Sequence, residues 1–387
     1  MMQLIKLFRA QDWHVVFSSP AAPSDHMVDL KSYDVDKAEI ALNDSSFDQF
    51  VSQYQPTIVL FDRFMMEEQF GWRVEQECPD ALRILDTEDL HCLRNARHIA
   101  LKAGRNVSLK DMNSDLAMRE IAAIYRCDLS LMISDYEIEL LTKQFSVPKK
   151  ILLHIPFMLD SIEHSNFRPY AKRGDYISIG NFRHAPNWDA VLHLKTTLWP
   201  LIRELQPKAQ LFIYGAYPPP KATQLDNPKQ GFHIKGWTDN SSEVMQQARI
   251  CLAPLRFGAG LKGKLVEAMQ CGTPSITTSI GAEAMHASLP WNGAITDDMQ
   301  HFAQIAVELY HSEKDWHKAQ DNGKAIINAL YNHESLGQKL LAKITELSKH
   351  LKEHRLENFT GAMLRHHSMK STRYMAQWIE AKNKLKN

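Results

Sequence analysis

Pro254-Leu-Arg-Phe-Gly-Ala-Gly-Leu-Lys-Gly-Lys-Leu-Val-Glu-Ala-Met-Gln-Cys-Gly-Thr-Pro274 is the stretch on which the reading of the fold turns. An apolar run, Ile250 to Leu255, precedes the loop, and a second, Ser275 to Thr278, follows it; both read as buried strands. Between them a glycine-broken loop leads into one helix, expected over Lys264 to Gln270 and stopped by Gly272 and Pro274. Gly258 and Gly260 are expected to take left-handed dihedrals and to let a ligand approach the backbone closely. The helix start offers unpaired N–H groups and partial positive charge, and Lys262 and Lys264 add full charges, which suits a phosphate-bearing ligand. One turn in, Glu267 is an acceptor at the right remove for ribose hydroxyls. The same glycines also suit a plain strand-to-helix turn with solvated lysines, because short glycine motifs recur without ligands.

Outward from this loop, short apolar runs alternate with helical patterns. His14–Ser19, Thr57–Phe61, Leu82–Asp86, Leu129–Ser134 and Ile151–Ile155 are the strand candidates of a first half. Tyr176–Gly180, Gln210–Gly215, Phe232–Gly236, Ile250–Leu255 and Ser275–Thr278 are those of a second. Helices between short apolar strands argue for parallel sheets built of βαβ units. Asp160 to Gly174, polar and carrying Pro169, is the expected linker. Two doubly wound α/β domains facing a cleft result, over residues 1–165 and 166–350, with a helical tail over 351–387. Ligands of such sheets bind outside the carboxyl ends of the strands. Met1 to Ala10 reads as a helix leading into the first strand candidate, whereas a doubly wound domain opens on a strand and a glycine turn. The expectation is that this first strand lies upstream, or that the sheet is naturally shorter.

Composition excludes several classes. The 387 residues fit roughly two domains of about 100–200 residues each. Formal net charge is zero, so no bulk attraction to nucleic acid follows. The five cysteines are scattered without CxxC pairs and read as small buried hydrophobes of a reducing compartment. No apolar run nears the roughly 18 residues that would span a bilayer, and no signal peptide is seen, which places the protein in the cytoplasm.

Polar residues at strand ends are the candidates for chemistry. Asp86, Asp89 and His91 follow the Leu82 strand, where a carboxylate or imidazole can orient an acceptor hydroxyl or take its proton; Arg94 and Arg97 follow. Asp89 or Thr87 can equally cap the next helix. Asp-x-x-Asp-x-His has no tight metal-ligand spacing, and no metal is expected. In the second half Gly180, Arg183 and His184 lie past a strand, with Asn187 as a helix cap. Gly236 and Trp237 form another strand-end turn, suited to a base edge, and Gly281 and Glu283 follow the last core strand. The tail reads as a helix from Ile326 to Leu351, a break over Asn358 to Leu364, and a bulky apolar helix beyond. His366-His367 alone makes no metal site, and Lys382, Lys384 and Lys386 form a basic end that can touch an anionic membrane or be merely solvated.

Taken together, the second half resembles the GT-B fold glycosyltransferases, in the family called glycosyl transferases group 1. The matching residues are Ile179-Gly-Asn-Phe182, Pro186-Asn-Trp-Asp-Ala190, Ile213-Tyr-Gly215, Gly236-Trp-Thr-Asp239, Ala253 through Met269, Gly272-Thr-Pro274 and Thr277 to Glu283. Arg119 to Asp128, Ile133-Ser134 and Glu137 look like the family's first-domain segment, so that the resemblance spans residues 120 to 285. It implies a retaining enzyme that moves a sugar from a UDP-, GDP- or ADP-sugar to a glycan or lipid-linked acceptor. Cell-envelope polysaccharide synthesis at the inner face of the membrane is the implied setting, without cofactor or metal. It also implies donor contacts from Gly180, Arg183, Gly236, Trp237, Arg256, Gly258, Ala259, Gly260, Leu261, Lys262, Lys264 and Glu267, with Lys262 on the diphosphate and Glu267 on the ribose. Asp86, Asp89 and His91 fall at the family's first-domain active position. The family's second, earlier glutamate is replaced by Ala259, and its Arg and Lys after the first strand by Asn181 and Asn187. An epimerase or phosphorylase-like enzyme of the same fold, or a binding subunit without activity, are the alternatives.

Overall fold

A computed structural model of the chain describes residues 1–24, 27–163 and 167–385. Residues 164–166 of the expected linker, the side chain of His367, and Lys386 of the basic end lie outside the described residues. The chain divides into two units, one of Met1–Cys92, Asn113–Met158 and Glu334–Asn387, the other of Leu93–Met112 and Leu159–His333.

In chain order the elements open with α1 (Met2–Arg9), β1 (Val16–Ser19), β2 (Asp36–Glu39), α2 (Ser46–Tyr54), β3 (Ile58–Asp62), α3 (Phe64–Glu77) and β4 (Leu82–Asp86). Next come α4 (His91–Lys102), α5 (Leu109–Met112), α6 (Asp115–Arg126), β5 (Leu129–Met132), α7 (Asp135–Gln144) and β6 (Leu152–His154). The second run holds β7 (Gly174–Ile179), α8 (Ala185–His193), α9 (Trp199–Leu205), β8 (Leu211–Tyr214), α10 (Pro220–Thr223), β9 (Phe232–Gly236), α11 (Ser241–Gln247) and β10 (Ala248–Ala253). After the glycine loop follow α12 (Gly263–Gln270), β11 (Ser275–Thr277), α13 (Ser279–Ala282), β12 (Gly293–Ile295), α14 (Met299–His311) and α15 (Glu313–Leu330). The chain closes with α16 (His333–Lys349), α17 (Leu351–Leu356) and α18 (Phe359–Lys384).

In the first unit β3-β4-β5-β6 form a parallel sheet, and β1-β2 a separate parallel pair. Every residue of β4 and β5 is buried, the polar Arg83, Asp86 and Ser130 included, as expected of parallel strands covered on both faces. Leu82, Ile84, Leu129 and Leu131 pack with Leu4 of α1 and with Leu340, Ile344 and Leu347 of α16. Residues 334–350, expected in the second domain, thus belong to the first unit. α17 and α18 are tied to the same unit by polar contacts. Arg355 donates to both carboxylate oxygens of Asp128 at 2.8 Å, and Asn358 donates to the Tyr125 carbonyl at 2.9 Å. Burial alone would raise the Asp128 carboxyl, but the hydrogen bonds and charge of Arg355 with Arg83 outweigh it and hold it below the ordinary 3.8.

In the second unit the six strands lie in the order β12-β11-β10-β7-β8-β9, all parallel. Renumbered within the unit this is the doubly wound order 3-2-1-4-5-6, whose connections reverse direction between its first and fourth strands, here β7 and β10. Tyr176, Leu211, Ile213, Ile250, Leu252 and Ile276 fill one side of the sheet, packed with Leu194, Trp199 and Phe302 of the covering helices. Gly215, just past β8, sits where a Cβ would come within 2.0 Å of the Gly180 carbonyl. Only glycine lets those two strand ends approach so closely.

Several expectations are corrected. The helix expected from Ile326 to Leu351 is two, α15 and α16. Between them the backbone turns to pair with Leu159, which donates to the Tyr331 carbonyl at 2.7 Å and accepts from His333 at 2.9 Å. The break expected over Asn358 to Leu364 is confined to Asn358, whose side chain accepts from Gly361 and caps α18. β2 and β12 were not foreseen: Asp-Lys-Ala-Glu carries no apolar run, and Gly-Ala-Ile is too short to show one.

Asp128→Asn is expected to lower stability by about 3 kcal/mol in denaturant unfolding, because it leaves Arg83 and Arg355 without their carboxylate. The wild-type contribution is fully present above the ordinary 3.8 and is lost as pH falls through the lowered native value, so the two proteins should converge in acid. An unchanged unfolding midpoint at neutral pH would refute this role.

Candidate functional site

The switch point fixes where the second unit can hold a ligand. Past the carboxyl ends of β7 and β10 lies a recess of ≈ 250 Å³, lined by Gly180, His184, Pro186, Asn187, Leu255, Phe257, Gly258, Ala259, Leu261, Lys262, Lys264 and Glu267 among others. Gly180, Gly258, Ala259, Leu261, Lys262, Lys264 and Glu267 of the sequence reading therefore come together.

Lys264 is the chemical centre. It stands in the first turn of α12, and its ammonium donates to the Asn187 side-chain oxygen at 2.8 Å. Among the described residues no carboxylate offsets its loss of water. Desolvation lowers its pKa to about 8. Asn187 is not a helix cap, as the sequence suggested; it lies inside α8, and its amide also donates to the Asn181 carbonyl at 3.0 Å. A Cβ on Gly180 would fall 2.6 Å from the Asn187 amide nitrogen and 2.9 Å from the Lys264 ammonium, so glycine leaves room for this pair.

Lys262 is buried at the start of α12, and its ammonium donates to the Gly260 carbonyl at 2.6 Å. Gly260 has φ 58°, the left-handed conformation expected; Gly258 is not in that region, contrary to expectation. α12 begins one residue early, at Gly263, which leaves the N–H groups of its first turn beside the recess. Glu267 is half-buried, and its carboxylate accepts from the Ser241 hydroxyl and, at 3.5 Å, from that of Ser242. The role of these serines was missed. The only sequence signal for it is their place just after the Gly236-Trp-Thr-Asp turn.

Other expected donor residues lie outside the recess lining. Arg256 forms a two-pronged ion pair with Asp189 at 2.9 and 2.5 Å. Arg183 stacks its guanidinium over the Tyr217 ring at 3.8 Å. Gly236 ends β9 with φ 73°, and the exposed Trp237 donates its indole N–H to Asp239 at 2.8 Å. Behind the loop, still within the second unit, Arg97 donates to both oxygens of Glu283 at 2.8 and 2.7 Å and to the Gly258 carbonyl at 2.8 Å. The His98 ring lies flat on Phe257 with centroids 4.4 Å apart. These contacts brace the glycine loop from one side.

Asp86, Asp89 and His91 are in the first unit. Asp86 is buried at the end of β4 beside Asp62 of β3, and burial raises its carboxyl, as it does that of Glu88. His91 Nε2 is 3.5 Å from Asp89. The Thr87 hydroxyl donates to the Leu131 carbonyl instead of capping α4. The N–H groups at the start of α4 are met by carboxylates from elsewhere in the unit: Leu90 donates to Glu137 at 3.0 Å, and His91 and Cys92 donate to Glu120 at 2.9 and 2.8 Å. Burial pushes the Glu120 carboxyl up to about 6. This helix start is therefore sealed by protein acids, whereas that of α12 faces the recess.

A doubly wound domain with a cationic, glycine-lined recess at its switch point has the arrangement that suits a phosphate-bearing ligand. Residues 173–312 match the family model described as Glycosyl transferases group 1. In fold the chain is similar to HepE of Anabaena in complex with UDP, with TM-score 0.67 at 11% identity, covering 89% of this chain and 96% of that one. It is also similar to sucrose-phosphate synthase of Thermosynechococcus elongatus, with TM-score 0.66 at 17% identity and coverage of 89% and 92%. A third likeness is to a TarM variant of S. aureus in complex with fondaparinux, alpha-GlcNAc-glycerol and UDP, with TM-score 0.61 at 12% identity, covering 76% of this chain and 57% of that one. The chain thus spans less than two-thirds of the TarM structure. Comparison with curated proteins gives no match. The fold is that of the GT-B glycosyltransferases, and the family-model match falls on its second unit.

Arg97→Met should free the Gly258 carbonyl and the Glu283 carboxylate together. Hydrogen exchange of backbone amides over 256–262 is expected to speed up on the order of tenfold, as loss of a charged hydrogen bond implies. Unchanged protection of that loop would show that it is held by other means.

Proposed function

We propose that the protein is a retaining glycosyltransferase that takes a sugar from a nucleoside-diphosphate sugar and passes it to a glycan or lipid-linked acceptor, in cell-envelope polysaccharide synthesis. The observation that carries this reading is the Lys264 ammonium, desolvated in the recess and met there by a neutral amide oxygen. A diphosphate placed against it gains a charged partner, and Gly258 and Gly260 let the phosphate oxygens approach the backbone. Glu267, held in place by Ser241, then takes the ribose hydroxyls. As the glycosidic bond breaks, negative charge develops on the leaving diphosphate, and Lys264 with the α12 N–H groups stabilises it. In the first unit Asp86, Asp89 and His91 would orient the acceptor hydroxyl. Burial raises the carboxyl of Asp86, so it holds a proton more readily than an exposed aspartate does. UDP is the first nucleotide to test, since HepE and TarM carry it in their complexes, with GDP and ADP as the alternatives.

A thermal-shift series with UDP, GDP and ADP checks this. At about a hundredfold excess over Kd the matching nucleotide should raise the transition by on the order of 5 °C. Glu267→Ala should weaken that nucleotide by about tenfold or more. No stabilisation by any of the three would count against a transferase, and an undiminished shift in Glu267→Ala would place the site elsewhere. A screen of nucleotide sugars for transfer or hydrolysis then identifies the sugar.

A further inference from the structure

We propose that the outward face of α18 is a docking surface for an anionic lipid bilayer. The inner face of this helix is committed to the first unit. Gly361 there sits where a Cβ would come within 2.2 Å of the Tyr125 carbonyl, and Ala376 is buried against Trp72. The helical period places Phe359, Met363, Tyr374 and Trp378 together on the opposite side. Phe359 is 78% exposed, Tyr374 64% and Trp378 58%, with Met363 and Met375 exposed beside them. A row of large apolar and aromatic side chains in water marks an interaction surface rather than a core face. Trp and Tyr are the residue types that settle at the level of lipid headgroups.

Charge selects the occupant. At its described exposed positions α18 carries Arg373, Lys382 and Lys384 against one acid on the helix, Glu380, whereas Arg365 is turned inward and paired with Glu75 at 3.2 Å. Lys384 is paired with Glu380, but Lys382 sits over the Trp378 ring at 5.0 Å, so cation and aromatic belong to one patch. Beside the helix a recess of ≈ 420 Å³ is lined by Trp72, Glu75, Arg365 and Arg373 among others, with Arg365 paired to Glu75; the buried Trp72 indole N–H has no partner among the described residues. A second copy of the same face would bring like charges together, which disfavours self-pairing and favours an anionic sheet. No helix of the described residues is long and apolar enough to cross a membrane, so the contact is one of lying on the surface. The sequence placed such a contact at the terminal lysines; the structure moves it to the aromatic face.

Co-sedimentation with phosphatidylcholine vesicles, with and without phosphatidylglycerol, tests this on the full chain. Wild type should pellet with the phosphatidylglycerol vesicles and far less with phosphatidylcholine alone, and raised salt should weaken binding. Trp378→Ser and Tyr374→Ser should each reduce the partition coefficient about tenfold, and Arg373→Glu with Lys382→Glu should abolish the preference for anionic lipid. The nucleotide thermal shift should be unchanged in all of these variants, which separates this surface from the recess reading. Failure of wild type to pellet, or variants pelleting as well as wild type, overturns the proposal. So does a dimer in sedimentation velocity that dissociates in Trp378→Ser, since a second copy would then cover the face.

Discussion

A lysine ammonium enclosed at a strand-end recess, with only an amide oxygen as its named partner, is the constraint from which the chemistry of the second unit follows. Water solvates such a charge better than the recess does, and the lowered pKa of Lys264 expresses that shortfall. Natural folds usually answer a desolvated cation with a carboxylate, as this chain does at Asp128 with Arg355 and at Glu67 with Arg126. At Lys264 the neighbour is Asn187, which orients the ammonium without cancelling its charge. An anion arriving in the recess supplies what the protein withholds.

Topology explains why this happens where it does. The chain reverses its winding direction between β7 and β10, so the loops after those strands part and leave a hollow. Gly180 and Gly215 permit the strand ends to crowd without filling it, and α12 starts at its rim. The two helix starts of interest show opposite treatment. α4 is sealed by Glu120 and Glu137, which suits a structural joint, whereas α12 opens on a cationic recess, which suits an anionic ligand.

Much of this was legible in the residues, and the losses have physical causes. Strands β4, β5 and β10 were visible because strands buried on both faces leave short, mainly apolar runs. The glycine loop and α12 were visible because glycine, lysine and the helix period fall in one short stretch. Asn187 misled, because Asn near a helix start caps far more often than it reaches across a sheet, and only tertiary proximity to Lys264 separates the two. The partners of Arg256 and Arg183 were hidden for a related reason: a basic residue beside a loop says nothing of Asp189 or Tyr217, which engage them from distant elements. Glu120 and Glu137 lie far along the chain from the helix they cap, and no local pattern announces such a contact. β2 was hidden by its exposure, since a polar edge strand leaves no apolar trace.

The most direct test of the account is an NMR titration of Lys264, assigned by comparison with Lys264→Arg in lysine-labelled protein, with and without UDP. The side chain is expected to titrate near 8 in the free protein and to move upward when nucleotide binds, because a diphosphate favours the charged form. A lysine titrating near its ordinary 10.5 and indifferent to every nucleotide offered would contradict it.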